Sequence, residues 1–155
     1  MGASGWKYIV PYQQDLGLAL DALRREVFAS GDYVQPHLVD DAFDDLPEPG
    51  SVDDLTQEQY WEFMGTCGTH SIIDVHAIMP AGFTGEEYGT IRPLSAAEYI
   101  ELFGVEQPSH ADFTVLSGSE RLHECITGGR WTGRAAVLWT NGSPTEIAFW
   151  GCSGD

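Results

Sequence analysis

The chain has 155 residues, 43% of them hydrophobic and 12% aromatic, with seven Lys or Arg against 24 Asp or Glu for a net charge of −17. That apolar share excludes wholesale disorder, and a chain of this length buries roughly 70% of its unfolded surface when it folds as one domain. Seven cations cannot form a phosphate-tracking stripe, which excludes direct nucleic-acid binding, and no apolar run nears the ~18 residues of a membrane span.

The first predicted element is a strand from Lys7 to Val10, rich in Tyr and Ile and ended by Pro11. Asp15 then caps a helix in which Leu16, Leu20, Leu23 and Val27 recur at helical spacing. Arg24 and Arg25 are read late in that helix, toward the negative end of its dipole, and Ser30-Gly31 supplies the stop. From Asp32 to Ser51 the periodicity disappears. Pro36, Pro47, Pro49 and six acids make this a long acidic loop, and such loops are usually functional or mobile.

Thr56 and Gln59 are spaced as a capping box for a second helix, with Tyr60, Phe63 and Met64 as its apolar face and Gly65 and Gly68 at its end. Thr69 to Met79 alternates as a strand, and Thr90 to Arg92 is a short extended piece. Ser95 and Glu98 box the start of a helix carrying Tyr99, Leu102 and Phe103, which Gly104 stops. Pro108-Ser109 opens a helical stretch to about Thr127, broken near Gly118. Arg134 to Thr140 and Thr145 to Trp150, either side of Asn141-Gly142, read as a hairpin. Pro144 points to a wider loop or an edge strand, and Trp139 and Trp150 are placed to pair across the arms. The expectation is a single α+β domain over residues 1–155 with an acidic loop at about 32–51. Its antiparallel sheet has about four or five strands, with helices packed mainly on one face. Leu16, Leu20, Leu23, Val27, Ile73, Val75, Val137 and Phe149 are the expected core.

On the Thr69 to Met79 strand, alternation gives Ser71, Ile73, Val75 and Ala77 to the core and His70, Ile72, Asp74 and His76 to the other face. Asp74 and His76 would then be same-face neighbours roughly 6.6 Å apart. A carboxylate beside an imidazole can fix its tautomer or raise its pKa, so His70, Asp74 and His76 are the candidate catalytic residues. The competing reading is a half-solvated face on which polar residues are ordinary. His-x3-Asp-x-His is not a strong metal spacing, and neither a metal nor a cofactor is expected. Cys67, beside His70 in sequence, has the spacing of an activated thiol but sits in a glycine-flanked turn. His110 and His123 read as surface or capping residues. Cys67, Cys125 and Cys152 are odd in number and widely spaced, which fits reduced thiols. With no basic and apolar leader at the start, a cytoplasmic location is expected.

Between Arg25 and Arg92 there are fourteen carboxylates and no Lys or Arg. Such a block is solvated, binds cations or faces a basic partner. With Lys7 the only lysine, the usage also resembles that of acidic proteins from GC-rich genomes or salt-adapted organisms. Tyr8-Ile9-Val10-Pro11-Tyr12-Gln13, Gly68-Thr69-His70-Ser71-Ile72-Ile73-Asp74 and Phe149-Trp150-Gly151-Cys152-Ser153-Gly154-Asp155 resemble segments of a group of small uncharacterised bacterial proteins common in actinobacteria. The resemblance implies no activity; it singles out the Asp74 segment and the C-terminal tail. Two function classes follow. The first is an acidic binding or inhibitor module, like an immunity protein, that meets a basic protein through Asp40, Asp41, Asp44, Asp45, Asp53, Asp54 and Trp150. The second is a small enzyme or ligand-binding protein of bacterial specialised metabolism, using the His70/Asp74/His76 face on a small molecule.

Overall fold

The computed structural model describes residues 4–39, 41–124 and 129–154. Five strands, Gly5–Pro11 (β1), Ala77–Ile78 (β2), Thr90–Pro93 (β3), Thr132–Thr140 (β4) and Ser143–Cys152 (β5), form one sheet in the order β1-β5-β4-β3-β2. The class is α+β, as expected. The sheet is mixed rather than antiparallel: β1, β5 and β4 are antiparallel neighbours, whereas β4, β3 and β2 run parallel. Parallel neighbours need a crossover, and the long segment between β3 and β4 supplies one.

The hairpin is the part of the sheet that sequence specifies locally. Asn141 and Gly142 have φ of 51° and 78°, both positive as a two-residue I′ turn requires. Pro144 does not widen the loop, and it stands in the one-sided position the edge reading expects: β1 pairs with β5 only as far as Glu146, so at Pro144 the strand has β4 alone as its neighbour. A register shift at Leu138/Trp139 absorbs the proline. Trp150 stands opposite Arg134 and Trp139 opposite Pro144, so the two indoles do not pair.

Alternation along β5 sends Ile147 and Phe149 to one core and Ala148 and Trp150 to another. The first core is covered by α1 (Leu16–Ser30), by Val52, Leu55, Tyr60, Ile72, Ile73 and Val75, and by Met64 of α2 (Trp61–Thr66). The second is covered by α3 (Ala96–Phe103), α4 (His110–Ser117) and Leu122 of α5 (Arg121–Glu124). Helices therefore cover both faces, not mainly one. The connection after β1 lays its elements on the first face and that after β3 on the second. Of the expected core, Leu20, Leu23, Val27, Ile73, Val75 and Phe149 are buried, whereas Leu16 and Val137 are half-buried.

Most helix boundaries follow local chemistry. Asp15 accepts from the Leu18 N–H at 3.1 Å, and Gly31 closes α1 in the left-handed region. Because α1 continues to Ser30, Arg24 and Arg25 precede its last turn; Arg24 is instead a buried residue, 3% exposed. The capping box before α2 is made by Ser51 and Asp54 and opens a 3₁₀ turn, Val52–Thr56, whereas Thr56 and Gln59 do not box α2. Ser95 and Glu98 box α3 as expected, and Gly104 ends it. Ser109 and Asp112 box α4, and Gly118 separates it from α5. The expected continuation to Thr127 lies outside the described residues. Among its described residues, the acidic loop contains two short 3₁₀ turns, Pro36–Leu38 and Asp41–Phe43.

Thr69 to Met79 is not a strand. Gly68 and His70 adopt φ of 68° and 54°, which takes the backbone out of the extended region. Ser71 then accepts from the Ile73 N–H and starts a 3₁₀ turn, Ile72–Asp74, leaving only Ala77–Ile78 to pair.

Candidate functional site

One register line crosses the sheet, with Ala77, Thr90, Thr132, Cys152 and Gly5 standing opposite one another. The residues one step beyond it, His76, Gly89, Trp131, Ser153 and Ser4, form a row. The His76 N–H donates to Gly89 O at 2.7 Å, Gly89 N–H to Trp131 O at 2.8 Å, Trp131 N–H to Cys152 O at 2.9 Å and Ser153 N–H to Ser4 O at 2.9 Å. This edge holds the amino ends of the parallel strands, opposite to the carboxyl edge at which open parallel sheets usually bind ligands.

Above the row lies a cleft of about 510 Å³, lined by Leu55, Thr56, Trp61, Met64, Gly65, Ile73, Asp74, His76, Tyr88, Gly89 and Trp131. Trp61 and Tyr88 are 63% and 73% exposed, although both are large aromatic residues. The Trp61 indole N–H donates to Thr56 O at 3.4 Å, which fixes its ring. Tyr88 and Trp131 meet at 5.7 Å between centroids and 59° between planes, forming a corner. The Trp131 ring lies so close to the backbone of Gly154 that a Cβ there would come within 1.8 Å of it. The tail glycine thus makes room for an indole of the cleft wall.

Asp74 is 4% exposed. Its carboxylate accepts from the Thr69 N–H at 2.6 Å, from Thr69 Oγ1 at 2.8 Å and from the Ser153 hydroxyl through a short hydrogen bond. Burial raises its pKa, against these hydrogen bonds and the nearby His70, which favour the charged form. A Cβ on Gly68 would come within 2.9 Å of both carboxylate oxygens, so the left-handed glycine also makes space for the carboxylate. The pair Asp74–Ser153 joins two segments 79 residues apart. His76, immediately before β2, is held toward its neutral form by burial and by the charge of Arg24.

Glu86 anchors the loop that carries Tyr88. It meets the buried Arg134 through two hydrogen bonds, one of 3.1 Å and one shorter, and lies 4.0 Å from Arg92 Nε. Arg92 in turn grips Glu98 at 2.8 and 2.6 Å.

The predicted residues separate accordingly. Asp74 and His76 both line the cleft, but not through a shared strand face. His70 turns away, with Nδ1 3.3 Å from Ser4 Oγ and Nε2 buried without a hydrogen bond. The Cys67 thiol faces Phe63 O at 3.7 Å, back along α2. His110 is exposed, 2.9 Å from Glu146, while the side chain of His123 lies outside the described residues. Asp41, Asp44 and Asp45 are exposed. Asp53 lies 3.8 Å from Arg25, and Asp54 accepts from the N–H groups of Gly50 and Ser51 as a cap. Asp40, Cys125 and Asp155 lie outside the described residues. Trp150 is fully buried in the second core, against Phe113, which leaves it no surface to offer a partner.

Sequence reasoning did not select Trp61, Tyr88, Trp131 or Ser153. For Ser153 the signal was there, in the same tail segment as Trp150. Among the described residues, no group of three or more His, Cys, Asp or Glu is placed to hold a metal ion, and no helix is long and apolar enough to cross a membrane. No protein-family model matches the chain, and neither does any curated protein or solved structure.

Proposed function

We propose that the protein binds a small organic molecule in the cleft at the amino ends of β2, β3 and β4. The observation that carries this reading is the convergence of Asp74, His76 and three aromatic residues on one concavity of about 510 Å³. That volume and the mixture of apolar walls with a few polar groups are what small-molecule sites have. Two exposed aromatic rings at its mouth are surface that a bound molecule would cover. Screening soluble ring-containing compounds by protein-observed NMR tests this. Hits should move the indole N–H signals of Trp61 and Trp131 and leave that of the buried Trp150 in place. Trp61→Ala, at an exposed position, should weaken such hits several-fold without changing the melting temperature. Hits that perturb only residues remote from the cleft would defeat the proposal.

A second reading, an acidic module for a basic protein, rests on a different observation: Asp41, Asp44 and Asp45 present exposed carboxylates in a segment with no nearby Lys or Arg in sequence. It concerns a different part of the surface and has its own test, given below.

A further inference from the structure

We propose that the ligand of this cleft is a small organic cation, an alkylammonium or quaternary ammonium group; the inference rests on the cleft being a ligand site. The eleven lining residues include one carboxylate, Asp74, and no lysine or arginine. Three are aromatic, and two of these, Tyr88 and Trp131, form a corner whose centroids are 5.7 Å apart. Ring faces carry negative potential, and a cation within ~6 Å of a centroid gains roughly 0.5–2 kcal/mol from each suitable ring. Met64 adds a polarisable wall.

Among the described residues, no lysine or arginine side chain reaches the cleft wall. Arg92 and Arg134 are taken up by Glu86 and Glu98, while Arg24, which is buried behind His76 and 3% exposed, is not on the cleft wall and lies 3.9 Å from Asp21. His76 is biased toward the neutral form, by burial first and then by the charge of Arg24, so the imidazole itself adds no charge to the wall. Asp53 and Asp54 belong to the 3₁₀ turn that supplies Leu55 and Thr56 to the wall, and the whole chain carries −17. An anion entering here would meet a negative field with no donor cation on the wall. A neutral ligand would gain the apolar contacts but not the ring faces or the field.

Three probes with one shape separate these cases: choline, its uncharged carbon isostere 3,3-dimethylbutan-1-ol, and the anion 3,3-dimethylbutanoate. Each is titrated into the full chain at constant ionic strength, with the Trp61 and Trp131 indole N–H signals as readout. Choline should bind at least tenfold more tightly than the alcohol, and the carboxylate most weakly. Tyr88→Leu, at a 73% exposed position that the core does not need, should remove most of the preference for choline while retaining binding of the alcohol. Equal binding of choline and the alcohol overturns the cation inference and leaves the small-molecule reading standing. Tighter binding of the carboxylate also overturns it. If no probe of any charge moves either signal, the cleft itself is not a site for ligands of this size, and both readings fall.

Discussion

Asp74 carries two opposing effects within one residue. Burial penalises its charge, whereas three donors from Thr69 and Ser153 stabilise it. Removing the acceptor leaves the Thr69 N–H and the Ser153 hydroxyl unsatisfied in the interior, at about 1–3 kcal/mol for each such group. Asp74→Ala should therefore lose about 3 kcal/mol in urea unfolding at neutral pH. Asp74→Asn keeps an acceptor toward Thr69, offers its amide to Ser153 and sheds the buried charge, so it should stay within about 1 kcal/mol of the parent. Equal losses for Ala and Asn would show that the charge, not the acceptor geometry, holds the two segments together. The pH dependence has a definite sign. A carboxyl whose folded pKa is raised contributes stability below its unfolded value, and that contribution is lost as pH rises through the folded value. The Asn variant should thus compare more favourably with the parent at neutral pH than in acid.

At the scale of elements, the opposite case is Glu98, which caps α3 and grips Arg92 at 2.8 and 2.6 Å. The Arg92 hydrogen bonds, helped by those from Ser95, bring its pKa from 4.5 down to about 2. A depressed pKa contributes stability above the unfolded value, lost as pH falls through the folded one. The stability difference between the parent and Glu98→Gln should be constant at neutral pH, shrink below about pH 4.5 and vanish near pH 2. A difference that persists unchanged to pH 2 would assign the effect to packing rather than to charge. This capping box was legible because its chemistry is contained within four residues, as was the Asn141-Gly142 turn. The Thr69 to Met79 segment was misread because its apparent alternation was accidental. Ile72, Ile73 and Val75 are all buried, so the polar face that alternation assigned to this segment does not exist. The cause, a left-handed step at Gly68 and His70, leaves no mark on hydrophobic pattern.

At the scale of the whole molecule, the mixed sheet was not legible, because β2 and β3 find their partners through register rather than through local composition. The cleft depends on that register, since His76, Gly89 and Trp131 become neighbours only when three parallel strands start level. Charge is the global property that sequence shows directly, and it leads to a separate expectation. Exposed carboxylates act over roughly 8 Å at physiological ionic strength, so a basic partner would be steered by them into fast, salt-sensitive association. Replacing Asp40, Asp41, Asp44 and Asp45 together by Asn should then slow association about tenfold or more while changing dissociation little. Folding should be unchanged or slightly improved, because these substitutions relieve repulsion between like charges, and Asp41, Asp44 and Asp45 are exposed. Affinity capture at low and high salt finds the partner, and stopped-flow mixing with parent and variant measures the rates. If the quadruple variant associates as fast as the parent, the acidic loop does not steer the encounter. If no basic protein is retained even at low salt, the block reflects composition rather than an interface, and the cleft remains the part of the molecule on which function is to be sought.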